Sequence, residues 1–293
     1  MSAPTFDTAP TFETAPTFET GPVETPRASA LSGLRRELQA VAAVTSRDVT
    51  LTLKSPGTLV MGLAMPLMMM GLIGGNLMQN MTGGIGYDFG EFMLVGMLVN
   101  MLFMMTTMGM TTLIDDSDSS FSNEMLVAPV SRYSIIVGKI LGSAFMAMVS
   151  CLGVLVVGLV MGITLSAWQL LVLLALAPLM CLAGGSLAVI VMGMIKSKKA
   201  ANMVVMLITM PQMFLSGVII PIASSSGVLL VLSRLLPMTY CVDLARSVVY
   251  AGTPEYSQVV LFNPAVSIGV VGALTVVFLV VGTYLYQRSE KMR

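Results

Sequence analysis

Histidine is absent from this 293-residue chain, and charged residues make up only 10% of it. Without histidine the chain lacks the commonest protein ligand for zinc, the commonest general base and the usual pH-sensitive side chain. A soluble domain carries roughly a quarter charged residues, whereas 56% of this sequence is hydrophobic. Because apolar runs of about 20 residues match the thickness of a bilayer core, we expect an integral membrane protein. The formal net charge of zero gives no reason to expect nucleic acid as a partner.

Cysteine is also scarce. Only Cys151, Cys181 and Cys241 are present, and two of them lie inside apolar runs, so their number indicates neither a disulfide framework nor a redox compartment. The 28 methionines suggest a soft-metal site, but runs such as the one at 68–70 point around all sides of a helix. We favour packing over metal binding, and we expect no metal and no cofactor on this chain.

The N-terminal 54 residues fall into two parts. Residues 1–29 repeat APTFDT and APTFET, are rich in Pro and Thr, and bury too little apolar surface to become ordered. We predict a disordered tail there, whose repeated phenylalanines either dock a partner or are passive. Over 30–54, Leu31, Leu34 and Leu38 recur at helical spacing with arginines between them. This pattern predicts an amphipathic helix lying in the membrane interface, with an ordinary soluble helix as the alternative.

Six apolar segments follow, and each is long enough to cross a bilayer as a helix. The predicted fold class is therefore an all-α integral membrane protein, with its six-span domain at 55–293. Between the last two spans, residues 223–263 contain GVLLVLSRLL, which is too short to span and carries an arginine. We predict an extracellular re-entrant hairpin there. The predicted spans cover about 57–79, 92–114, 135–161, 169–195, 201–222 and 265–286.

The basic residues predict the orientation, because cytoplasmic loops of membrane proteins carry an excess of Lys and Arg. With both termini cytoplasmic, only Arg234 and Arg246 lie outside. The basic residues that then lie inside are Arg27, Arg35, Arg36, Arg47, Lys54, Arg132, Lys139, Lys196, Lys198, Lys199, Arg288, Lys291 and Arg293.

The middle of every predicted span lacks Asp, Glu, Lys, Arg and His. Ionisable residues in the bilayer usually mark proton or ion pathways, so a proton-coupled transporter would lack its carrier group. The acidic cluster at 115–124 contains no histidine and does not have the composition of a membrane-enzyme site. The chain also has no phosphate-binding loop of the form GxxxxGK[ST]. If ATP drives this protein, the ATPase must therefore be a separate chain.

Three segments carry a family resemblance, and they are EMLVAPVSR at 124–132, FLSGVIIP at 214–221 and PMTYCVDLAR at 237–246. The first is followed by Gly138 and Lys139. Their order, their spacing and the six-span scaffold resemble the type-2 ABC exporter permeases, particularly the daunorubicin-resistance and nodulation-factor branch. The resemblance covers roughly residues 30–290.

Two positions depart from the family pattern. DSSFSN at 118–123 stands where family members often carry Arg-Glu and a Gly, and Leu236 stands where Asn often precedes the proline. The first departure removes the basis for assigning a specific salt bridge between that segment and an ATPase.

The resemblance implies the membrane subunit of an ATP-driven exporter. In this family two permeases pair, here as a homodimer, and two copies of an ABC ATPase subunit, which hold ATP and Mg²⁺, dock on the cytoplasmic side. The loop between spans two and three forms a coupling helix in a cleft of the ATPase, and the amphipathic N-terminal helix makes a second contact. Closure of the ATPases rearranges the spans and moves substrate outward.

The residues of this loop support a docking role. Pro129 is disfavoured inside a helix and restricts the residue before it, so a short helix over about 120–127 is expected to end there. Apolar side chains in an aqueous loop are typical of a docking surface, and packing back on the span ends is the alternative. Arginine at the end of the segment has the chemistry to bind carboxylates or helix-end carbonyls. The coupling candidates are Glu124, Met125, Leu126, Pro129 and Arg132.

Polar side chains form one-sided stripes on predicted spans two and five. Because polar groups are costly in lipid, both stripes face protein or a cavity, and the resemblance places these spans beside the substrate route. The stripes either line that route or join helices, with threonine bonded to its own helix. Pro211 is a hinge candidate in span five, although inert prolines also occur in membrane helices. The route candidates are Asn100, Thr107, Thr111, Asn202, Thr209, Met213 and Ser216.

The sequence thus predicts a permease of the bacterial plasma membrane that exports a small amphipathic substrate, such as a drug, antibiotic, lipid or glycolipid. The lack of charge within the spans favours neutral or hydrophobic cargo, and membrane lipid surrounds the protein. No catalytic residue is expected on this chain. The alternative is a non-transporting scaffold or sensor that docks a soluble partner through the same loop.

Overall fold

The structure is a computed structural model, and it describes residues 30–75, 87–112, 131–195, 197–219, 222 and 227–290. Within these residues all regular structure is helical. A π-helical segment, Met69–Gly74, directly follows the α-helix Pro56–Met68. The ten α-helices of the described residues are α1 Ala30–Leu53, α2 Pro56–Met68, α3 Phe89–Met110, α4 Arg132–Val160, α5 Ala167–Met194, α6 Lys198–Leu215, α7 Val228–Leu235, α8 Pro237–Val249, α9 Tyr256–Val259 and α10 Pro264–Glu290.

Four helical segments are long and apolar enough to cross a membrane: α3, α4, α5 and the segment Tyr256–Arg288, which includes most of α10. Two bent helix pairs raise the number to six if each counts as one span: the pair formed by α1 and α2, bent by 83°, and the pair formed by α7 and α8, bent by 85°. Helix α6 is apolar but shorter. A multi-pass, all-helical membrane architecture is therefore confirmed, while the six-span topology stays a prediction.

Helix α3 lies in the middle of the protein. Its side chains from Phe89 to Phe103 are almost all buried, in contact with α4, α5, α6 and α8. Neighbouring backbones approach it closely where glycine removes a side chain: a Cβ on Gly96 would clash with the carbonyl oxygen of Val218, and one on Gly184 of α5 would clash with that of Phe103. Protein rather than lipid thus surrounds this span.

The outer helices expose apolar side chains instead. Protein interiors bury such residues, so broad apolar outer faces indicate contact with lipid or another membrane chain. These exposed side chains include Leu152, Val156, Leu159 and Val160 on α4, Leu171 and Leu174 on α5, Met203, Leu207 and Met210 on α6, and Val276, Val277 and Val280 on α10.

Helices α7 and α8 form a bent pair where the re-entrant hairpin is predicted. Gly227, with φ of +65°, precedes α7, and Pro237 occupies the first turn of α8, where its missing N–H is not needed. The hydroxyl of Thr239 donates to the carbonyl of Ser233 at 2.6 Å, and that of Tyr240 donates to the carbonyl of Arg234 at 2.8 Å. These bonds fix the bend between the two helices.

Candidate functional site

Helix α1 packs along the first half of α4, the helix that follows the predicted coupling loop. Two glycines of α4 make the approach close. A Cβ on Gly138 would lie 2.9 Å from Cβ of Val44, and one on Gly142 would lie 2.6 Å from Cβ of Asp48. Leu34 and Leu38 of α1 remain 60% exposed, so α1 presents an apolar surface away from α4 as well.

A buried ion pair joins the two helices at this contact. Nζ of Lys139 lies 3.1 Å from Oδ2 and 3.2 Å from Oδ1 of Asp48, and the two side chains are 7% and 9% exposed. Beside it, the hydroxyl of Thr45 donates to the carbonyl of Gly138 at 3.0 Å. Removing one member of a buried pair is costly because the other charge stays in a low-dielectric site. The pair therefore fixes the register of α1 on α4.

A second contact lies at the exit of the loop. The backbone N–H of Ser131 donates to both carboxylate oxygens of Glu37, at 3.1 Å each, and the hydroxyl of Ser131 caps α4 by accepting from the N–H of Tyr133. The chain leaving the loop is thus bonded to α1 directly before Arg132 starts α4. The other four coupling candidates, Glu124, Met125, Leu126 and Pro129, lie outside the described residues.

The route candidates of α3 face the interior of the protein. Asn100 is fully buried, and neither its amide oxygen nor its nitrogen has a hydrogen-bond partner among the residues that the structure describes. Thr107 donates to its own helix at Phe103, 2.6 Å away, and is 2.9 Å from the carbonyl of Gly184 on α5. Thr111 follows α3 and bonds within its own turn. Thr107 therefore joins α3 to α5, whereas the Asn100 amide has no partner in the described part of the chain.

The polar face of α6 is also turned inward. Thr209 is buried and donates to the carbonyl of Val205 at 2.8 Å. Ser216 is buried, and its hydroxyl has no partner within the described ranges. Of the remaining candidates, Met213 is buried, Asn202 is half-buried and Pro211 is exposed.

Gln212 belongs to the same face but was not predicted from the sequence. It is buried, and neither end of its amide has a partner in the part of the chain that the structure describes. The spacing from Thr209 to Gln212 to Ser216, three and then four residues, already places all three on one helical face. The sequence therefore contained the signal for this residue.

Arg246 and Asp243 of α8 connect the hairpin to the rest of the protein. Nη2 of Arg246 donates to the carbonyl of Gly217 at 2.7 Å and of Phe92 at 3.3 Å, and its guanidinium lies 3.4 Å from the centroid of the Phe92 ring. Asp243 accepts from the N–H of Leu261 at 2.6 Å, and also from Phe262 and Ser267. Two of the segments that carry the resemblance, 214–221 and 237–246, therefore meet here.

Among the described residues, no three His, Cys, Asp or Glu side chains lie together as a metal site would require.

The family model described as "ABC-2 type transporter" matches residues 39–250. The matched part begins within α1, contains the ion pair and both polar faces, and ends directly after the hairpin. No curated protein matches the chain in sequence.

Proposed function

Because the chain belongs to the ABC-2 type transporter family, we propose that it is the permease of an ATP-driven exporter, powered by a separate ATPase and moving an amphipathic substrate outward. Family membership makes it an ABC permease subunit, a membrane transport component without catalysis of its own, and implies an ABC ATPase partner. The direction of transport, the substrate and the assembly are proposals. We assign it to the daunorubicin-resistance and nodulation-factor branch, as a homodimer with two ATPase subunits that bind ATP and Mg²⁺.

The observation that carries the proposal is the double contact of α1 with α4. Residues 113–130, where the coupling loop is predicted, connect α3, the buried central helix, to Ser131, which Glu37 bonds to α1. Asp48 and Lys139 join α1 to α4 a second time, further along α4. An ATPase that moves the loop would therefore move α1 and α4 together. This is the mechanical arrangement that coupling through Glu124–Arg132 needs.

The polar faces of α3 and α6 support a closed route in this conformation. Asn100, Gln212 and Ser216 are buried with polar atoms that have no partner among the described residues. Such groups are costly to leave unsatisfied, so their retention favours a role in another state of the cycle. We infer that opening requires α6 to move away from its neighbours, with Pro211, whose missing N–H weakens the helix, as the hinge.

The distribution of basic residues supports the proposed orientation in the membrane. We assign the protein to the bacterial plasma membrane with both termini cytoplasmic, which places the loop and the Asp48–Lys139 pair on the ATPase side. The hairpin of α7 and α8 then lies on the outer side. The uncharged interior of the spans suits a neutral or hydrophobic cargo.

Cysteine crosslinking and transport test this proposal together. Because the three native cysteines are buried, Met125→Cys is expected to be the reactive thiol on the cytoplasmic side. It should crosslink to a cysteine in the cleft of the co-expressed ATPase, and efflux of an amphipathic dye should stop when the ATPase carries a glutamate-to-glutamine substitution at its catalytic base. Crosslinking with efflux unaffected by that substitution would indicate a scaffold or sensor instead. Failure to crosslink in any nucleotide state would refute the coupling assignment.

A further inference from the structure

A cavity of about 580 Å³ opens between the end of α1, the start of α2, the end of α3 and the first half of α4. Ligand sites for small molecules usually have volumes of about 300–1,000 Å³. The cavity adjoins the Asp48–Lys139 pair and lies beside the 83° bend between α1 and α2. With the orientation proposed above, this level is the headgroup region of the cytoplasmic leaflet.

Four methionines from three helices form the apolar wall, namely Met61 of α2, Met105 and Met108 of α3, and Met146 of α4. Methionine is flexible and polarisable, and proteins use it on surfaces that accept varied apolar partners. Gly62 of α2 keeps the space open beside this wall, because a Cβ at that position would meet the end of Met146. The wall therefore suits an apolar group whose shape is not uniquely defined.

The described residues that line the cavity carry no net charge. Among the described residues, the charged ones that line it are Asp48 and Lys139, which pair with each other. The hydroxyls of Thr52, Thr58 and Ser143 also line it and make no hydrogen bond within the part of the chain described here. Free hydroxyls can donate to and accept from a ligand, whereas a net-neutral lining gives no compensation for a buried ligand charge.

From this geometry we propose that the cavity takes up the exported substrate from the cytoplasmic leaflet, and that the substrate is an amphiphile with an uncharged, hydrogen-bonding polar end. Its apolar part contacts the methionine wall, and its polar end bonds the hydroxyls of Thr52, Thr58 and Ser143. As a substrate-loading site the cavity rests on the exporter function proposed above. It is separate from the polar faces of α3 and α6, since no route candidate lines it.

Photolabelling of the purified full-length permease in phosphatidylcholine nanodiscs tests the site without the ATPase. The probe is a long-chain monoacylglycerol that carries a diazirine at the chain end, and labelled peptides are located by mass spectrometry. We expect labelling around residues 58–62, 105–112 and 142–146. Met108, which is 38% exposed, is replaced by tryptophan to fill the cavity, and labelling of these segments should fall roughly tenfold. Leu170→Trp is the matched control, since Leu170 is 37% exposed on α5 outside the cavity, and it should not change labelling.

A second variant keeps the test decisive if Met108→Trp fails to fold. Thr58→Val removes one hydroxyl at an exposed position and should lower labelling by about threefold. Equal labelling of wild type, Met108→Trp and Thr58→Val would overturn the proposal. If a diazirine fatty acid labels these segments as strongly as the monoacylglycerol does, the requirement for an uncharged polar end is overturned. If a diazirine phosphatidylcholine labels them as strongly, the cavity is a site for a bilayer lipid and the loading proposal is overturned.

Transport separates this proposal from the exporter function. In vesicles that contain the permease and its ATPase, ATP-driven export of the monoacylglycerol by wild type and not by Met108→Trp supports the proposal. Equal export by both would overturn it and leave the exporter function intact. If wild type shows no ATP-driven export even of amphipathic dyes, the exporter function is overturned, and the loading role with it. The photolabelling result would still decide whether the cavity binds the amphiphile.

Discussion

Replacing Lys139 by methionine removes one member of the ion pair that holds α1 on α4, and leaves Asp48 charged in a buried position. Such a change costs about 3–5 kcal/mol in a protein interior. Both side chains are less than a tenth exposed, at 7% and 9%, so solvent screens the pair little. Arg47 lies 3.7 Å from Oδ1 of Asp48 with 32% of its side chain exposed, and it compensates part of the lost charge. We therefore expect a loss near the lower end, about 3 kcal/mol.

A thiol-reactive dye measures this loss, because Cys151, Cys181 and Cys241 are all buried and free in the folded protein. Their reaction on heating reports unfolding. For chains of about 150–250 residues, 1 kcal/mol shifts Tm by roughly 2–4 °C, so Lys139→Met should lower the apparent Tm by about 6–12 °C. Arg47→Gln, at the solvent-facing position beside the pair, should lower it by less than about 3 °C, as expected for partly exposed ion pairs.

The double variant tests the reasoning itself. Asp48→Leu has nearly the same branched shape, and combining it with Lys139→Met replaces the charges by apolar groups, which is often neutral. We expect the double variant to unfold within about 3 °C of wild type, although each single variant is strongly destabilised. Additive losses in the double variant, or single losses below about 2 °C, would refute the assignment of the pair as the clamp between α1 and α4.

Four further predictions concern other contacts of the site. Glu37→Ala frees the N–H of Ser131, so limited trypsin digestion should cleave after Arg132 several times faster than in wild type, whereas Glu37→Gln, which keeps an acceptor, should cleave at an intermediate rate. Arg246→Met should lower the stability by at least about 2 kcal/mol. Arg246→Lys should not restore it, because a single ammonium cannot reproduce both carbonyl bonds and the contact with Phe92. Equal Tm for Arg246→Lys and wild type would contradict this. Gly96→Ala should strongly reduce the yield of folded protein, because its Cβ would meet the backbone of Val218. Gly269→Ala has open space around its Cβ and should give a normal yield. A fluorescence assay on detergent-solubilised protein measures the folded yield of both variants. Gln212→Leu should raise the apparent Tm, since it removes a buried amide that has no partner among the described residues, and should lower export; unchanged export would remove Gln212 from the substrate route.

Much of the helical layout was accessible from the sequence. A segment that crosses lipid must satisfy its backbone hydrogen bonds internally, so a run of about 20 apolar residues specifies a helix locally. Four of the six predicted spans, including 92–114 and 135–161, therefore coincide with long apolar helices of the structure. The family was also accessible, because its motifs are short and contiguous, and the family match confirms the type-2 ABC permease. The polar residues Asn100 and Ser216 were predicted by helical spacing alone, although the role assigned to them stays a prediction.

What the sequence could not determine is which face of each helix meets which neighbour. Asp48 and Lys139 lie on different helices, far apart in the chain, and only the close approach allowed by Gly138 and Gly142 brings them to 3.1 Å. Arg246 likewise finds its acceptors on α3 and beyond α6. Apolar spans carry little periodic signal, since a span is hydrophobic on the side that faces lipid and on the side that faces protein. The sequence alone thus determined a helical ABC permease, whereas the tertiary structure decided its clamp, its buried polar faces and its cavity, because these depend on contacts between residues distant in sequence.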